Sequence, residues 1–114
     1  MKVEFTKLEW EIISHRLDAP DAIAECMVDS DWNDYDYDTV VDRANQMARQ
    51  GQAAIDWESQ MDLDILEDAC SGCVMFADIQ DAVAFGEVSK GWMMAAFKAA
   101  KSIERKTGWE VNTI

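Results

Sequence analysis

The stretch Ser89–Gly108, SKGWMMAAFKAAKSIERKTG, decides the fold class. Trp92, Met93, Ala96, Phe97, Ala100 and Ile103 recur at steps of one, three and four. That is the period at which an α-helix gathers side chains on one face. Ser89 carries the short oxygen acceptor an N-cap needs, and Gly108 supplies the left-handed freedom of a helix stop. Lys98, Lys101, Arg105 and Lys106 occupy other positions and make this a basic helix. The pattern predicts a long helix inside these two caps.

Outward from it, the same punctuation repeats. Thr6-Lys7-Leu8-Glu9 is a capping box, with Phe5 and Trp10 placed as a hydrophobic staple. Leu8, Ile12, Ile13 and Leu17 follow at helical spacing. Pro20 suits the first turn of a second helix, whose apolar face is Ile23, Cys26 and Met27. Asp36 or Asp38 can cap a third, with Val40, Val41, Ala44, Met47 and Ala48 inward and Gly51 as its stop. A fourth runs from about Gln60 to Ser71, capped by Ser59 and ended by Gly72. A short fifth falls in 76–85, closed by Gly86. The expected fold is mainly α, five to six short helices in one domain over 1–114. Lys2–Phe5 and Trp109–Ile114 alternate like strands, so an α+β variant with a small antiparallel pairing of the termini is also expected.

The charge is the strongest functional signal. Twenty-three acids face ten Lys and Arg, a net charge of −13, where about 2–8 is ample for solubility. Residues 18–38 hold eight acids and no base, and residues 56–89 hold nine acids and no base. Such a surface argues against direct nucleic-acid binding, which needs a basic face, and against anionic membranes. No run approaches the ~18 apolar residues of a membrane span, and Met1–Phe5 carries charge where a leader would be apolar. A cytoplasmic protein is expected. Three cysteines make a disulfide framework unlikely.

Within the first acidic block, Asp29–Asp38 reads DSDWNDYDYD. Asp29, Asp31 and Asn33 open like a calcium loop. Asp34 then stands where a glycine is needed, and Val40 where the bidentate glutamate belongs. Trp32, Tyr35 and Tyr37 among these acids, and Trp57 between Asp56 and Glu58, have two readings: a protein contact surface, or pins that hold loops to the core. On the fourth helix, Asp64, Glu67 and Asp68 cluster opposite the apolar side, with Asp62 in the first turn. No lysine stands nearby in sequence to relieve them.

Other chemistry has thinner support. Cys70-Ser71-Gly72-Cys73 has the spacing of a zinc or redox pair, and Cys26 and His15 would complete a zinc set. The pair follows a helix instead of opening one, so the thiols lack the dipole that activates a redox pair; small buried side chains are the plainer reading. No nucleophile elbow, metalloprotease motif or phosphate loop is present, and a non-enzyme with no cofactor is expected.

Small size, acidity, a helical pattern and aromatics among aspartates give the chain a resemblance to phage-encoded inhibitors, the anti-CRISPR proteins and restriction inhibitors that mimic DNA. The likeness rests on composition and on the blocks at 29–38 and 56–68, not on a motif. It implies a partner that is a basic protein or nucleoprotein complex. The contact would run through Asp29, Asp31, Trp32, Asp34, Tyr35, Asp36, Tyr37 and Asp38, extended by Asp62, Asp64, Glu67 and Asp68. Helical carboxylates lie about 5–6 Å apart, a spacing that a phosphate-reading groove would accept. The basic last helix departs from a uniformly acidic mimic. A structural adaptor module, self-associating through the aromatics, is the alternative expectation, and a small zinc protein the third. The oligomeric state is left open.

Overall fold

The computed structural model describes residues 2–29, 35–71, 84, 86 and 89–111. Five α-helices lie among them: α1 Lys7–Leu17, α2 Pro20–Asp29, α3 Tyr37–Gln50, α4 Gln60–Ser71 and α5 Lys90–Thr107, with a 3₁₀ turn at Gln52–Ala54. The expected helix within 76–85 falls almost wholly outside the described residues, as do Gly72 and Cys73.

The caps form as the local sequence dictates. The Glu9 amide donates to Thr6 Oγ1 (3.2 Å) and the Thr6 amide to Glu9 Oε1 (2.9 Å), closing the capping box. Phe5 meets Trp10 with ring centroids 6.2 Å apart. Asp36, not Asp38, caps α3, accepting from the Thr39 amide at 3.1 Å. Ser59 and Ser89 accept from the amides of Asp62 and Trp92. Gly51 and Gly108 end α3 and α5 at φ of +80° and +78°, values that glycine adopts without strain.

Packing follows the apolar stripes. The α2 helix lies mainly on α3, while α1 packs on α4 and α5. Between them Ile13, Leu17, Ile23, Val40, Met47, Ile65, Leu66 and Ile103 are fully buried. Each such side chain contributes about 1.5–3 kcal/mol relative to exposure. Trp57 packs half-buried against Phe5, centroids 6.1 Å apart, so it pins its loop to the core.

Two expectations need correction. There is no strand among the described residues, because side chains take the backbone groups a terminal ladder would use. The Gln52 amide both accepts from the Phe5 N–H and donates to its C=O, each at 2.9 Å. The Val111 N–H donates to Glu104 Oε1 at 3.1 Å; residues 112–114 lie outside the described residues. Cys26, expected on the inward face of α2, is exposed, and Ile23, Ala24 and Met27 form that face instead.

Candidate functional site

The acids of α4 are not the open, unrelieved row that their sequence suggests. Asp62 is 1% exposed. Arg43 of α3 grips it with two hydrogen bonds, Nε to Oδ1 at 2.8 Å and Nη2 to Oδ2 at 2.6 Å. The Asp56 amide adds a third at 2.9 Å. Arg43 in turn is fixed by Gln46 Oε1 and the Ala54 carbonyl. Its charge and fork geometry suit a buried carboxylate, and the Asp62 hydrogen bond holds the guanidinium above its ordinary value. Asp62 is therefore withdrawn from any contact surface.

Asp64 is buried as well. The Tyr35 hydroxyl donates to its Oδ2 at 2.6 Å and Gln60 Nε2 to its Oδ1 at 2.8 Å. Burial, then this bond to a carboxylate, pushes the Tyr35 phenol up to about 12. The two acidic blocks do meet in space, but as phenol to carboxylate rather than as one field of free charges. Asp68 is mostly buried, 3.8 Å from Arg16 of α1. Burial pushes its carboxyl above the ordinary 3.8, against the Arg16 charge and the Cys26 thiol, which pull it down. Of the α4 set only Glu67 is exposed. Tyr35, Asp64, Glu67 and Asp68, with Cys26, Met27, Ser71 and Glu110, line a cleft of about 380 Å³ between α2 and α4.

The sign for Asp68 follows from its raised value. Its protonated form favours the fold, a contribution present below about 3.8 and lost as the pH rises through the raised value. Asp68→Asn keeps the shape without the charge. We expect a higher melting temperature than wild type at neutral pH, with the difference closing as the pH falls toward about 4. Thermal melts at the two pH values check this, and an unchanged gap would show that the carboxylate carries no burial cost.

The Asp-rich stretch is described from Tyr35 onward. Asp31, Trp32 and Asp34 lie outside the described residues, and Asp29 is described only as the end of α2. Asp36 is exposed and serves as the α3 cap. Tyr37 is half-buried, and its hydroxyl donates to Asp21 Oδ1 at 3.1 Å. The charges of Asp21, Glu25 and Asp38 all bear on this phenol and help push it up, after burial. All three carboxylates are exposed, and among the described residues no ion pair involves them. An acidic face thus forms where α2 meets the start of α3, centred on Tyr37. Asp21 and Glu25 belong to the first acidic block of the sequence but not to its expected contact residues. Their i,i+4 spacing on a helix was the available signal.

Of the cysteines, Cys26 and Cys70 lie among the described residues, Cys26 exposed and Cys70 buried. Burial, then the Glu67 charge, pushes Cys70 up to about 12, and burial with Asp68 raises Cys26. Thiols held protonated are poor nucleophiles. Among the described residues no group of three or more His, Cys, Asp and Glu is placed to hold a metal, so His15, Cys26 and Cys70 are not gathered. No described helix is long and apolar enough to cross a membrane. A scan against protein-family models finds no match for the chain, and searches of curated proteins and of solved structures find none either.

Proposed function

We propose that this chain is a non-enzymatic binding protein whose acidic surface engages a basic, nucleic-acid-binding protein or complex. It would act as a nucleic-acid mimic, in the manner of the inhibitors it resembles in charge. The supporting observation is the α2–α3 face: Asp21, Glu25 and Asp38 stand exposed around Tyr37, with no ion pair to them among the described residues, in a chain of net charge −13. Arg43, Arg16 and Lys106 lie against Asp62, Asp68 and Glu9. Among the described residues no cation pairs with the three acids of this face, and Asp21 meets only the Tyr37 hydroxyl. An aromatic set among unpaired charges suits a contact centre, and the field around it would steer a basic partner and discriminate against acidic ones. Asp36 and Glu67 extend the same polarity.

The test is capture from nuclease-treated bacterial lysate on immobilised protein, eluted by a salt gradient and identified by mass spectrometry. A nucleic-acid-binding protein that elutes at moderate salt, and that duplex DNA displaces, supports mimicry. Capture indifferent to salt and DNA favours the adaptor alternative. With the partner in hand, D21K/E25K/D38K should weaken binding by about a hundredfold, since each like-charge contact opposes docking. The fold should hold at a cost of roughly 1 kcal/mol per site, since Asp21 and Asp38 are exposed first-turn acids and Asp21 accepts from Tyr37. Wild-type affinity in that variant would sink the reading.

A further inference from the structure

Along α5, Lys90, Met94, Lys98, Lys101 and Arg105 are all exposed. Their steps of four, four, three and four put them on one helix face, a stripe about 22 Å long. Met94 is 55% exposed, one of two large apolar side chains so exposed among the described residues. Lys101 sits 3.6 Å from Glu104. No ion pair is recorded for Lys90, Lys98 or Arg105 among the described residues. Lys106, one position on, is spent inside the fold on Glu9. A strongly acidic chain therefore presents a basic row with an apolar residue in it, of which only Lys101 has an ion pair among the described residues.

The α2–α3 face is its complement, with a half-buried tyrosine at the centre and unpaired carboxylates around it. The two faces belong to different packing pairs, since α5 lies on α1 and α2 lies on α3. We infer that the α5 stripe docks on the α2–α3 face of a second copy of this chain. Lys98 and Arg105 meet Glu25 and Asp38, and Met94 lies against the Tyr37 ring, a favourable sulfur–aromatic contact. The contact is head-to-tail, so it leaves one face of each kind free. It also covers the acidic face, and so masks it from any other basic partner. The inference uses the face of the proposed function but is tested on the protein alone, so either can fail without the other.

Electrostatics gives this association a signature. Two copies of net charge −13 repel as whole molecules. That repulsion acts over tens of ångströms, beyond the Debye length of about 8 Å at 0.15 M salt, whereas the docked pairs lie within it. Association should therefore be strongest at intermediate salt, and weaker both near zero and near molar salt.

Sedimentation equilibrium of the full chain, from micromolar to millimolar, tests it. The expected result is a weight-average mass that climbs with concentration at about 0.15 M salt and returns toward the monomer at about 1 M. K98E/R105E and E25K/D38K should each weaken self-association about tenfold or more, with unchanged circular dichroism. Mixed together, the two variants should form a one-to-one pair, because one retains a native acidic face and the other a native stripe. Three results would each overturn the inference: a wild-type chain monomeric at millimolar concentration at every salt, association that only grows with salt, or variants that fail to pair on mixing.

Discussion

Arg43→Ala should lower the unfolding free energy by about 3–5 kcal/mol, the usual cost of removing one partner from a buried ion pair. The size comes from what is left behind. Asp62 is 1% exposed and would keep only the Asp56 amide and its own position in the first turn of α4. Nothing else described reaches it with positive charge. The Ala54 carbonyl and Gln46 would lose their donor at the same time. Against a typical total of about 5–15 kcal/mol, that is a large share. Urea denaturation should show the midpoint falling by at least about 1 M, given slopes of about 1–3 kcal/mol/M. Arg43→Lys should recover only part of the loss, because an ammonium cannot make the two-pronged contact. Adding Asp62→Asn to Arg43→Ala should also restore part of it, by removing the orphaned charge. A single variant within 1 kcal/mol of wild type would show that water replaces the guanidinium.

That pair also marks the limit of what the sequence reveals. Caps, stops and apolar stripes are local: Thr6 and Glu9 are three apart, and so are Ser89 and Trp92. The interactions within each helix follow from neighbours on the chain, so the helix bounds were legible. Arg43 and Asp62 are nineteen apart, and their meeting depends on how α3 lies on α4. Arg16 and Asp68 are farther still. A helical wheel of α4 correctly sets its apolar side against its acids. It cannot show that Asp62, on the apolar side, meets Arg43 of α3, or that Asp68, on the acidic side, lies beside Arg16 of α1. The terminal alternation misleads for a similar reason, since Gln52 occupies both backbone groups of Phe5. For the site, Tyr37 and Asp38 were legible as an acidic-aromatic cluster. Asp21 joins them only because α2 packs on α3 and brings its carboxylate to the phenol.

Two groups of acids stand in opposite surroundings. Glu9, Asp62 and Asp64 are drawn inward and tie elements together through Lys106, Arg43 and Tyr35, while Asp68 is drawn in beside Arg16 at a burial cost. Asp21, Glu25 and Asp38 stay outside, with no counter-charge paired to them among the described residues. Internal pairs respond little to salt, while an exposed cluster responds strongly. Stability and partner binding should therefore separate cleanly along a salt series, with binding lost well before the fold.

The second large effect lies at the join between α1 and α5. Lys106→Met keeps the aliphatic stem but removes the ammonium that donates to Glu9 Oε1 at 2.6 Å and to the Glu4 carbonyl at 3.1 Å. The Glu9 side chain is 2% exposed, whereas that of Lys106 is 33% exposed. Water can reach the lysine's place in part, so a loss of about 2–3 kcal/mol at neutral pH is expected, below the full range for a buried pair. The pH dependence identifies the cause. Burial alone would raise the Glu9 carboxyl, but Lys106, the Thr6 amide and the Ser102 and Thr6 hydroxyls outweigh it and hold it below the ordinary 4.5. A lowered carboxyl contributes stability that is present above about 4.5 and lost as the pH falls through its folded value. The wild type should therefore lose this increment on acidification, and Lys106→Met should have little of it left to lose. Urea midpoints of the two chains should converge as the pH drops from neutral to about 3. Glu9→Gln added to Lys106→Met should regain part of the neutral-pH loss, because the amide needs no counter-charge. A gap that stays constant with pH would mean that Lys106 acts through packing of its stem, and that the ion pair contributes nothing to the join.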